Sequence, residues 1–179
     1  MNVPSAPPST RAGSAEIRVP VDRPAGTVVP VFDRVGLSRV GLSWVAAHGG
    51  AGASTLTAAL GGADIGCRWP DESRAEPARV MLVARTHNGG LRAAARALDA
   101  LREGRHTPGM ELVGLVLVAD APGRLPPSLR RRIRVLRSVA PLLRVPWIEP
   151  WRVGEQATRV PKALLRLGAF VGEFIGDET

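Results

Sequence analysis

The chain has 179 residues, enough for one domain with an additional arm, and 45% of them are hydrophobic, enough for a core. The formal net charge of +8 admits acidic partners such as nucleic acid or an anionic surface. Lys162 is the only lysine among 24 basic residues, so part of the arginine content is expected to reflect codon supply in a GC-rich bacterial genome.

The single cysteine, Cys67, excludes an internal disulfide, and with three histidines it excludes most metal sites. No apolar run reaches the roughly 18 residues of a membrane span. The first thirty residues carry prolines and charges where a signal peptide would carry an apolar segment. A cytoplasmic location is the expectation.

Residues 1–36 are rich in Pro, Ser, Thr and Gly without helical period and are expected to form a disordered arm. Within it, IRVPVDRP could form a short extended segment, which its prolines restrict to a sheet edge. Residues 37–179 are expected to form a single α/β domain. RVGLSWVAA (39–47) predicts a buried strand, and STLTAALGG (54–62) a short helix stopped by glycines. The polar stretch 65–78, with two prolines, reads as loop. RVMLVA (79–84) predicts a second strand. Residues 89–104 predict a helix with Leu91, Ala94, Ala95, Leu98 and Leu101 on one face.

MELVGLVLVAD (110–120) is the strongest strand signal. Residues 126–140 predict a helix started by proline, with Leu129, Ile133, Leu136 and Val139 inward and arginines outward. LLRVPWI (142–148) predicts a fourth strand. Residues 161–178 predict a final helix, whose Leu164, Leu167, Val171, Phe174 and Ile175 form one broad face. Too few basic residues oppose that face to suit an anionic membrane, so the helix is expected to dock on the domain's own sheet. The alternation of strands and helices predicts a compact three-layer α/β domain with a mainly parallel sheet. Such sheets bind ligands outside the carboxyl ends of their strands, which singles out residues 48–53, 85–90 and 119–125.

The segment HGGAGAST (48–55) supplies what a phosphate-binding turn needs from its backbone. Gly49, Gly50 and Gly52 let amides converge, and a helix begins near Ser54. It resembles the deviant phosphate loop of the MinD/ParA group of P-loop ATPases, KGGxGK[ST][ST]. Gly49, Gly50, Gly52, Ser54 and Thr55 match that pattern, His48 stands at its signature lysine, and Ala53 at its phosphate-loop lysine. The strands and helices of residues 40–160 follow in a similar order. The resemblance implies a truncated P-loop NTPase-like fold, a nucleotide site with His48, the glycines, Ala53 and Thr55 around the phosphates, and Ser54 at the magnesium position. ATP or ADP with Mg²⁺ are the cofactors it implies.

The departures matter as much. Alanine at 53 has neither charge nor reach, and the chain is short between residues 62 and 79, where the ATPases carry catalytic and magnesium-linked aspartates. Only Asp64, Asp71 and Glu72 lie there, in the expected loop. Phosphoryl transfer depends on positioned cations and carboxylates. The expected function is therefore that of a non-hydrolysing regulatory or adaptor protein with an unidentified protein partner, its glycine loop being either a weak nucleotide or anion site or a plain tight turn from strand to helix. An active atypical ATPase is the alternative, and it needs a substitute cation, for which Arg85 is the candidate. A third reading is a nucleic-acid-binding accessory protein of DNA partition or a mobile element, using Arg130, Arg131, Arg134 and Arg137 on one helix face. His87, Asp120, Trp147 and Trp151 are further candidates near the strand ends, against the plainer readings of loop, turn and core residues.

Overall fold

A computed structural model describes residues 41–154 and 160–173. The expected arm, residues 1–36, lies outside the described residues, as do Phe174 and Ile175. The described elements are β1 (Leu42–Ala46), α1 (Ala53–Leu60), β2 (Ala63–Gly66), β3 (Arg79–Arg85), α2 (Asn88–Arg102), β4 (Glu111–Val118), α3 (Pro127–Arg137), β5 (Leu142–Val145), α4 (Glu149–Arg152) and α5 (Lys162–Glu173). The five strands form one sheet in the order β2-β1-β3-β4-β5, and every pairing is parallel.

Strand periodicity sorts the side chains into two cores. Leu42 and Trp44 of β1, Met81 and Val83 of β3 and Val116 and Val118 of β4 pack with α1 and α5. Val45, Val80, Leu82, Leu115 and Leu117 pack with Leu91, Ala94 and Leu98 of α2 and Ile133 and Leu136 of α3. The result is a three-layer α/β fold. The final helix docks on the sheet through Leu164, Leu167 and Val171, all buried in the α1-side core. Trp44 is fully buried, and its indole N–H donates to Gly61 O at 2.7 Å, which fastens the end of α1 to β1.

Three local expectations are corrected. Asp64 lies in no loop: it belongs to β2, a four-residue edge strand beside β1. Ile65 is the only buried residue in that strand, so no apolar run announced it. Residues 67–78 are loop with one short 3-10 turn at Glu72–Arg74. The fourth expected strand ends at Val145, since Pro146 has no N–H to continue a ladder. Val139, expected inward, is 59% exposed because α3 ends at Arg137 and the helical period stops there.

The order of strands has one reversal. The chain leaves β1 to one side to form β2, then returns to the other side for β3. Ligands in parallel sheets bind at such a switch point, at the carboxyl ends of the strands. Here that point is the gap between the loops after β1 and β3. The first turn of α2 closes tightly over it: a Cβ on Gly90 would lie 2.4 Å from Arg85 O and 2.9 Å from His48 Nε2.

The loop between β2 and β3 is clasped by Arg68 and Glu76, with Glu76 Oε2 also accepting from Asp71 N–H at 2.8 Å. The Arg68 hydrogen bond holds the Glu76 carboxyl at about 2, down from its ordinary 4.5. A depressed carboxyl contributes stability above its unfolded value and loses it as pH falls through the folded one. We therefore expect the 67–78 loop to stay clasped at neutral pH and to open as pH falls from about 4.5 towards 2. Trp69 fluorescence should report this, and Glu76→Gln should abolish that part of the transition. Gly90→Ala should destabilise the domain by about 1–3 kcal/mol in a urea titration, since the backbone of β3 stands in the way of the added methyl.

Candidate functional site

The loop after β1 is shaped by its glycines. Gly50 has φ 74° and Gly52 φ 103°, values that L side chains rarely adopt. Gly52 is the N-cap of α1 and supplies no side chain to cap it. The first backbone hydrogen bond of the helix runs from Leu56 N–H to Gly52 O at 3.0 Å. The amides of Ala53, Ser54 and Thr55 therefore have no acceptor within the helix. These donors, with the positive end of the helix, point at the carboxyl edge of the sheet.

A cleft of about 230 Å³ opens beside this loop. Gly49, Gly50, Gly52 and Thr55 of the glycine loop line it together with Arg85, His87 and Asp120 and, from the segment after β5, Trp147, Trp151 and Arg152. The two tryptophans, 99 and 103 residues from the start of HGGAGAST in sequence, reach it because β5 ends at the same edge and α4 follows shortly after.

Arg85 is the hinge pin of the arrangement. Its Nε–H donates to Gly50 O at 3.1 Å and its Nη1 to Ala119 O at 2.9 Å. Its own backbone N–H donates to His48 Nε2 at 3.1 Å. His48 Nε2 is thus an acceptor, and Nδ1 carries the proton that bonds Gly49 O at 2.8 Å. His87 caps α2 by accepting Gly90 N–H on Nδ1 at 3.0 Å. The two imidazoles are neighbours, with centroids 5.2 Å apart and planes tilted by 60°. Buried Thr86 completes the edge by accepting Asp120 N–H at 3.0 Å.

Two expected residues sit differently from the phosphate-loop pattern. Ala53 is buried in the α1-side core and its side chain is no part of the cleft wall. Ser54 turns away from the cleft towards β2, where its hydroxyl donates to Asp64 Oδ2 at 2.5 Å. Thr55 is the hydroxyl that lines the cleft. The Ser54–Asp64 pair was hidden in the sequence because the strand carrying Asp64 was not apparent. Asp120 and the two tryptophans are brought to the same cleft. The arginines at 130, 131, 134 and 137 are exposed on α3 and stand outside it.

A family model described as a family of unknown function, DUF6668, matches residues 41–166. The chain belongs to that family. No curated protein and no solved structure matches the chain. The segment that defines DUF6668 here contains the glycine loop, Arg85, both histidines of the cleft, Asp120 and both tryptophans.

The cleft has donors for an anion and an aromatic wall for a flat group. Among the described residues no group of three or more His, Cys, Asp or Glu side chains could hold a metal by itself.

Arg85→Ala should leave Gly50 O and Ala119 O without their donor and cost about 1–3 kcal/mol in denaturant titration. Amide exchange of residues 47–52 should accelerate in the same variant. A change below about 0.5 kcal/mol, the range of ordinary surface substitutions, would show that the guanidinium does not hold the edge together.

Proposed function

We propose that this DUF6668 protein is a nucleotide-responsive, non-hydrolysing adaptor, a degenerate relative of the MinD/ParA ATPases. The observation that carries the reading is the uncapped start of α1, held open by Gly50 and Gly52, facing a cleft at the switch point of a parallel sheet. A phosphate group on the Ala53–Thr55 amides would place the rest of a nucleotide along the cleft towards Trp147 and Trp151. Thr55, whose hydroxyl lines the cleft, is the residue that would reach a phosphate-bound Mg²⁺, since Ser54 is turned away to Asp64.

The active-ATPase alternative loses its substitute cation in this reading. Arg85 is engaged by two carbonyls, and Ala53 lies in the core. A guanidinium already tied to backbone would have to leave Gly50 O and Ala119 O before it could follow a moving phosphoryl group. Binding without turnover is the outcome that arrangement favours, with the protein's response read by a partner.

Calorimetric titration with ATP, ADP and GTP, each with and without Mg²⁺, tests the reading. We expect dissociation constants between about 10 µM and 1 mM, tighter with Mg²⁺, and loss of the Mg²⁺ effect in Thr55→Ala but not in Ser54→Ala. Absence of binding by every nucleotide would overturn it. Turnover near 1 s⁻¹ or faster, ordinary for phosphoryl-transfer enzymes, would establish the ATPase alternative instead.

A further inference from the structure

Among the described elements, net positive charge is concentrated on two helices. α2 and α3 together carry eight arginines and one aspartate, a net +7, against a formal +8 for the whole chain. α1, on the opposite side of the sheet, has no charged residue. Codon supply would scatter arginines over both faces, so it does not account for this concentration.

On α3 the arginines are also unpaired. Arg130, Arg131, Arg132, Arg134 and Arg137 are all exposed, and the ion pairs among the described residues involve Arg68, Arg74, Arg79, Arg102 and Arg105 instead. Five unscreened like charges on eleven residues repel one another and weaken the helix that carries them.

The same helix leaves two aliphatic side chains in water. Val135 is 61% exposed and Val139, just past the helix end, 59%. Val135 follows Arg132 by three residues and Arg131 by four, so all three share one face, and Val139 is exposed in the turn just past the helix end. Phosphates would neutralise the arginines and leave the valines against a charged backbone. An apolar partner would cover the valines and strand the arginines. An acidic segment carrying aliphatic side chains at helical spacing satisfies both.

We propose that the outer face of α3 is a docking surface for an acidic amphipathic segment of a partner protein. Its carboxylates pair with Arg131 and Arg132, and its aliphatic side chains cover Val135 and Val139. The surface lies across the sheet from α1, so it goes beyond the nucleotide reading and stands or falls separately from it.

Fluorescence anisotropy of the full chain with a labelled helical peptide of glutamate and leucine, about 18 residues long with leucines at i, i+3, i+4 spacing, tests this. A glutamate–serine peptide of the same charge and a generic DNA duplex are the comparison probes. The glutamate–leucine peptide should bind near 0.15 M salt, and the double variant V135S/V139S should weaken it about tenfold. R131Q/R132Q should weaken it too and reduce its salt dependence. All four positions are exposed, so circular dichroism should show both variants folded. Failure of the glutamate–leucine peptide to bind, or binding indifferent to the valines, would overturn the proposal. Tighter binding of the duplex, unaffected by V135S/V139S, would overturn it in favour of a phosphate-binding surface.

Discussion

Where the strands of a parallel sheet stop pairing, their last carbonyls lose their donors. At this edge Gly50 O, in the loop after β1, and Ala119 O, just past β4, share one donor, the guanidinium of Arg85. Arg85 can do so because it ends β3, which pairs with β1 and β4, the strands that the two loops follow. Its backbone N–H fixes His48, and the carbonyl of the same residue bears on Gly90. The glycine loop, the first turn of α2 and the loop after β4 are therefore set by one residue. Loosening it would release all three.

That constraint bears on function as well as on stability. A phosphate-transfer site needs a cation free to follow charge as it moves. The cation nearest this glycine loop is tied to backbone, and the position where a lysine would stand is filled by a buried methyl group. What the edge retains is static: amides at the start of α1, a hydroxyl from Thr55 and an aromatic end wall. Static donors suit recognition. On the proposed reading, the cleft senses an anion on one side of the sheet while α3 offers a charged, partly aliphatic face on the other.

Much of the fold was legible because parallel strands buried on both faces leave unbroken apolar runs. RVMLVA and LVGLVLV are such runs, and the arginine-bearing helices between them keep a clean helical period. β2 was not legible, because an edge strand of four residues with a single buried side chain leaves no run to see. Losing β2 also hid the bond from Ser54 to Asp64. Val139 kept the helical period in sequence, but the helix had already ended. In the site, the glycines announced the turn. Nothing local could show that the guanidinium of Arg85 faces carbonyls, or that Gly90 is fixed by a carbonyl five residues earlier, because both depend on how three strands end together.

The central claim is that the start of α1 is an anion-recognition site held in shape from beneath by Arg85. Backbone amide NMR of the isotope-labelled protein during titration with inorganic pyrophosphate addresses it most directly, since it reads each amide separately. The account predicts saturable shifts at Gly50, Gly52, Ala53, Ser54 and Thr55, with smaller ones at Arg85 and His48. Shifts confined to the arginines of α3, or none at the glycine loop up to millimolar pyrophosphate, would contradict it.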